Sequence, residues 1–201
     1  FRYEGKKTYA YEIAQDLGWR APDRVLHPCA GGMSLVKTWK GFNELKTLGW
    51  VDRLPRMTAV QARDCAPIVD AWAHGDREVT GIDKKPTVAS ALGVADPGLL
   101  GSRTLEMILA SDGAAAGVTD EEILTATRWL AQEGLFVEPS GAVTLAGLPK
   151  LVASGHVDRD ESVVCVVTGS GFKDFERIAQ MVRIPERVIS GYDEMVAEAD
   201  E

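Results

Sequence analysis

Cysteine, histidine and positive charge are all in short supply in this chain. There are three cysteines, Cys29, Cys65 and Cys165. The number is odd and no two form a CxxC pair, so neither a disulfide framework nor a zinc ribbon is suggested. Three histidines, His27, His74 and His156, lie far apart in the sequence. No metal-ligand spacing arises from them, so no metal site is expected. Acidic residues outnumber basic ones 30 to 22, a formal charge of −8. That argues against unspecific nucleic-acid binding, which depends on clustered Lys and Arg, and no nucleic-acid partner is expected. No apolar run approaches the ~18 residues a membrane-spanning helix needs. The opening FRYEGKKT has no apolar core and is not a signal peptide. It also lacks a starting Met, so the chain reads as processed, excised or incomplete, with a cytoplasmic setting expected. Neither a GxGxxG fingerprint nor the GK[ST] of a Walker loop occurs.

What is present suits one ordinary domain: 201 residues, 45% hydrophobic and 26% charged, enough to bury a core. Apolar residues at helical spacing (Ala10, Ile13, Ala14, Leu17) predict a helix over 8–17, closed by Gly18. A short apolar stretch, 25–29, leads through AGGMS into a second helix. There Leu35, Val36, Trp39, Phe42, Leu45 and Leu48 recur every three or four residues. A strand is predicted over 57–61, a helix over 65–73, a polar surface loop over 74–87, a helix over 104–110 and a strand over 114–118. Thr119-Asp-Glu-Glu122 is a helix-start signature, with a capping Thr and a Glu three residues on. Its helix should run to about Gln132. A small-residue helix follows over 142–153. The β-branched run 162–168 reads as a strand buried on both faces, with Cys165 a buried core thiol. Helices alternating with short strands imply an α/β fold, a three-layer open and mostly parallel sheet. Residues 1–175 would form this fold, and 176–201 an acidic tail, helical or partly disordered.

Two glycine turns follow predicted strands, the position where open parallel sheets hold ligands. The first is Ala30-Gly31-Gly32-Met33-Ser34, which opens a helix. Converging backbone N–H groups and the helix dipole there suit an anion such as a phosphate, and Ser34 could add a hydroxyl. Glycine can equally serve only to turn the chain, with Ser34 as an N-cap. The second is Thr168-Gly169-Ser170-Gly171. A hydroxyl at the end of a strand can bond a ligand ring nitrogen, or it can simply close a tight turn.

Several blocks taken together resemble the threonine synthase family of fold-type II pyridoxal-phosphate-dependent enzymes. FRYEGKKTYAYEIAQDLG is similar to that family's R-x-E-G-Q-K-T-x-A-x-E segment. VLHPCAGGMSLVKTWKGFNEL falls where the family has its phosphate loop. RLPRMTAVQARDCAPIV is similar to R-L-P-R-M-x-G-x-Q-A. The stretch 121–151 resembles the family's D-E-E-I-L helix and F-x-E-P-A-S-A turn, and VVCVVTGSGFKD its T-G-x-G-x-K-D close. The likeness covers about residues 2–174 in order and corresponds to the C-terminal portion of a tryptophan-synthase-β-like fold.

The resemblance implies a lyase that converts O-phosphohomoserine and water to threonine and phosphate on pyridoxal 5'-phosphate. It assigns the cofactor phosphate to Ala30, Gly31, Gly32, Met33 and Ser34, and the pyridine nitrogen to Thr168. It assigns the substrate phosphate to Arg2, whose guanidinium fork suits that anion. For Glu138, in FVEPSG, two roles stand: a place beside the cofactor, or service to local backbone donors next to Pro139. Ala30 departs from the family's usual Gly, Met33-Ser34 from Gly-Asn or Gly-Leu, and Gly141 from the usual Ser, the last in the direction of the dehydratases. The family's cofactor lysine sits in an N-terminal S-F-K-D-R-G motif. Lys173, in GFKD, follows a strand and belongs to the T-G-x-G-x-K-D block, so packing or pairing with carboxylates is its expected role. No catalytic residue is therefore expected in this chain. It would need a preceding half of the enzyme and would form a homodimer. Other readings are a threonine/serine dehydratase, a cysteate-synthase-like β-replacement enzyme, or a non-catalytic ligand-binding pseudo-enzyme.

Overall fold

The structure, a computed structural model, describes residues 1–179. The acidic tail expected over 176–201 lies outside the described residues, apart from the end of a short helix, Phe175–Ala179.

Among the described residues four parallel strands form the sheet: β1 (Arg24–Pro28), β2 (Arg56–Ala62), β3 (Ala114–Val118) and β4 (Val163–Cys165), in the spatial order β3-β2-β1-β4. Helices cover both faces. On one side lie α1 (Arg2–Gly5), α2 (Thr8–Asp16), α3 (Met33–Thr47), α4 (Pro67–His74) and α5 (Gly98–Ala110); α6 (Asp120–Gln132) and α7 (Pro139–Ala153) cover the other. The period-2 alternation of a strand divides the core between the two faces. Val25, Met57, Ala59 and Ala115 face the first helix layer, while Leu26, Val60, Ala62, Ala114, Ala116 and Val118 face the second. Parallel strands covered on both faces need apolar residues at consecutive positions, which β1 to β3 supply.

The capping box read at Thr119 is formed in full: the Thr119 hydroxyl accepts from the Glu122 N–H, and the Glu122 carboxylate accepts from the Thr119 N–H. The helix expected over 104–110 starts six residues earlier, at Gly98. The helix expected over 142–153 starts at Pro139, with Glu138 as its N-cap residue. Both extensions sit behind prolines, Pro97 and Pro139, whose fixed φ suits a helix start.

The strand expected over 162–168 is corrected. It is paired only over Val163–Cys165, and those residues are partly exposed, Cys165 included. The cause is position: among the described residues β4 pairs with β1 alone and forms an edge. Its entry is fixed at the N-terminal end of the sheet. There the nearly buried Glu161 takes two hydrogen bonds from Arg24, Nε at 2.7 Å and Nη2 at 3.2 Å, and one from Arg56 at 3.0 Å. Arg24 also donates to Thr58 Oγ1. These bonds hold the Glu161 carboxyl below its ordinary range, Arg24 contributing most.

Candidate functional site

The opposite, C-terminal ends of the strands open into a cavity of about 620 Å³. Every site residue expected from sequence lines it: Arg2, the loop Ala30–Ser34, Glu138 and Thr168. Residues 166 positions apart in sequence thus share one hollow, of a size suited to a small cofactor and its substrate.

The 30–34 loop leaves backbone donors free at the start of α3. Its carbonyls are engaged from behind: Gln61 Nε2 donates to the Ala30 carbonyl at 3.0 Å, and the Thr104 hydroxyl, whose one hydrogen lies between the carbonyls of Leu100 at 2.8 Å and Gly31 at 3.2 Å, packs against the latter. Gly32, at φ 92°, is the N-cap of α3, and no side chain caps the helix. Among the described residues the N–H groups of Gly32, Met33, Ser34 and Leu35 find no acceptor. These are the orphan donors of a helix start, with the positive end of its dipole behind them. A Cβ at Gly32 would run into the Thr104 side chain. Both its left-handed backbone and that close approach therefore require glycine. Gln61 is fully buried, and its Oε1 accepts from Ile68 and Val69 at 3.0 and 3.1 Å. One amide thereby secures both the 30–34 loop and the start of α4.

Thr168 ends the segment after β4, and its hydroxyl has no partner among the described residues. Beside it, the 136–138 and 169–171 segments pair: Glu138 N–H donates to the Gly169 carbonyl at 3.1 Å and Gly171 N–H to that of Phe136 at 3.0 Å. The Glu138 side chain lies against Gly169, where any Cβ would collide with it. Gly141, read as a departure towards the dehydratases, has a packing reason: a Cβ there would run into the Thr168 carbonyl. Lys173 stands at the cavity, exposed, and its ammonium makes no ion pair among the described residues. Of the two roles expected for it, packing or pairing with carboxylates, the second has no contact behind it among the described residues.

Arg2 reaches the cavity on α1, a helix the sequence reading missed because it spans only four residues. Glu4 of α1 binds Lys37 of α3 at 2.8 Å, and also Lys40 and Lys7. These contacts hold its carboxyl down to about 2, Lys37 contributing most. Further lining residues carried no local signal: Lys6, Tyr9 and His27, and Leu92 and Asp96 from the segment beyond the polar 74–87 loop. That segment has no periodicity. It is held by remote partners, Val88 N–H donating to Asp120 at 3.0 Å and Ala91 N–H to the Ser140 hydroxyl at 3.2 Å.

The sequence profile of the pyridoxal-phosphate dependent enzyme family matches residues 1–169. The chain belongs to that family. Among curated proteins it is 43% identical over 175 residues to a threonine synthase of Methanocaldococcus jannaschii, covering 87% of this chain and 43% of that protein. A Methanosarcina acetivorans threonine synthase is 41% identical over 194 residues, covering 96% and 48% respectively. The chain thus spans about half the length of the curated relatives it matches. Among solved structures, the processed form of threonine deaminase isoform 2 from Solanum lycopersicum superposes with a TM-score of 0.69 at 19% identity, covering 90% of this chain and 50% of that one. This last likeness shows the fold, which is fold-type II. The cavity fits the family's cofactor: free N–H donors converge at one wall and an unpartnered hydroxyl stands at another. Among the described residues no cluster of metal-ligating side chains occurs, and no helix is long and apolar enough to cross a membrane.

Proposed function

We propose that this chain is the C-terminal portion of a threonine synthase, converting O-phosphohomoserine and water to threonine and phosphate. One observation carries the reading: the cradle of free N–H groups, the Thr168 hydroxyl and the Arg2 guanidinium converge on one cavity. The 41–43% identity to threonine synthases supports the choice of reaction.

In this proposal the N–H groups of Gly32 to Leu35 hold the cofactor's phosphate ester, and the Ser34 hydroxyl adds a donor. Thr168 donates its hydroxyl to the pyridine nitrogen. A neutral donor leaves that nitrogen unprotonated, where a carboxylic acid would protonate it. Pyridoxal phosphate, when bound, supplies an electron sink for the substrate's carbon centre. Arg2 grips the substrate phosphate through its guanidinium fork and is itself held to α3 through Glu4. Glu138 lines the cavity together with Thr168 and supports the Gly169 turn. The lysine that carries the cofactor comes from a preceding half of the enzyme, and Lys173 is not that lysine. The assembled protein works as a cytoplasmic homodimer.

The test is to supply the full-length protein with pyridoxal phosphate and O-phosphohomoserine and to follow inorganic phosphate and threonine. Equimolar release of both is expected, and Arg2→Ala should raise KM for phosphohomoserine at least about tenfold. Ammonia and a 2-oxo acid formed from serine or threonine, with no phosphate release, would make it a dehydratase. Clear turnover by residues 1–201 alone would refute the portion reading.

A further inference from the structure

His27 is the last but one residue of β1 and stands just before the 30–34 loop. It is fully buried and lines the cavity, with the edge of its ring against Tyr9 at a centroid distance of 5.1 Å. Its Nε2 lies 3.1 Å from Thr38 Oγ1, and the Thr38 hydroxyl lies 2.9 Å from the Ser34 carbonyl. Thr38 is fully buried as well. A hydroxyl has one hydrogen to give. Thr38 gives it to Ser34, so it accepts from His27, whose proton is on Nε2. The Nδ1 lone pair is then the buried polar atom without a partner. Packing alone does not call for a polar pair here, because an apolar pair of similar volume would leave no buried lone pair without a partner. The chain of bonds runs from the end of β1 through the helix to the carbonyl of Ser34, inside the turn whose N–H groups are free.

We infer that His27 is a positioning residue for the phosphate cradle, acting through the Thr38 hydroxyl to fix the first turn of α3 against the end of β1. The inference rests on the reading of residues 30–34 as the cofactor's phosphate site and says what holds that site in shape. Donors aimed at an anion lose strength steeply when misaligned. The relay therefore governs the grip on the phosphate and leaves the rest of the cofactor's contacts untouched.

The experiment compares two ligands on the full-length apoprotein: pyridoxal phosphate and pyridoxal, which lacks the phosphate. Pyridoxal closes to an internal hemiacetal and so differs in its covalent contribution, but that difference is the same for every variant and cancels when each ligand's change in dissociation constant is taken against wild type. Thr38→Val should weaken pyridoxal phosphate about tenfold and pyridoxal less than about twofold, and Thr38→Ser should restore the wild-type ratio. His27→Leu should match Thr38→Val, and the double variant should be no worse than either, as for two members of one chain. If His27→Leu does not fold, the Thr38 pair decides. Equal weakening of both ligands, or no weakening, overturns the positioning role while leaving the cradle standing. A wild-type protein with no preference for the phosphorylated ligand removes the cradle itself, and the inference with it.

Discussion

Acid should loosen this protein through His27 well before its carboxylates titrate. Burial, and then the neighbouring Lys6, push the His27 imidazole from 6.5 down to about 3. The unfolded chain therefore binds a proton at His27 between about pH 6.5 and pH 3, and the folded one does not. Stability from this group is fully present above pH 6.5 and is lost as pH falls. Between pH 7 and pH 5 the loss amounts to ~2 kcal/mol for one such proton, and the limiting slope is ~1.4 kcal/mol per pH unit. The carboxylates that accept hydrogen bonds, such as Glu4 and Glu161, lie below their ordinary values and contribute only at lower pH. The assay is urea unfolding at half-unit steps from pH 7 to pH 5 on wild type and His27→Gln, which keeps an N–H but cannot take up a proton. The stability difference between the two should shift by ~2 kcal/mol across that range in favour of the variant. Parallel pH profiles, or an NMR titration that puts the His27 ring near 6.5, would refute the argument.

Gln61→Leu keeps the volume but orphans the Ala30 carbonyl and two N–H groups at the start of α4. It should cost ~3 kcal/mol in denaturant unfolding and weaken pyridoxal phosphate binding in the same variant. Glu161→Ala leaves the buried Arg24 without its carboxylate and should cost ~3–5 kcal/mol. Cofactor affinity should hardly change in that variant, because the pair lies at the other end of the sheet.

The regular elements were largely legible because their signals are local. The Thr119 capping box and the small apolar strand at 114–118 need only a few neighbouring residues to declare themselves. The run at 162–168 declared a strand but not its depth, since exposure depends on which strand lies alongside, and that is a property of the sheet. The N-terminal turns of α5 were hidden because Gly98 and Gly101 weaken helix propensity; at Gly101 a Cβ would crowd Pro97. In the cavity, glycine turns and a terminal arginine drew notice through their chemistry. Residues 88–97 did not, because the short 3-10 turn there carries no periodic signal and the anchors Asp120 and Ser140 are remote in sequence. His27 had no visible partner either, since Thr38 lies one strand-to-helix turn away.

The open flank of β4 bears on how the molecule is handled at the bench. Among the described residues no strand pairs with the outer side of β4, and with Val167, Phe172 and Phe175 showing through to solvent nearby that side is a template on which another strand can dock. Residues 1–201 produced by themselves would stick to one another along that flank and precipitate as concentration rises. Co-expression with a polypeptide that supplies the neighbouring strand should keep them in solution.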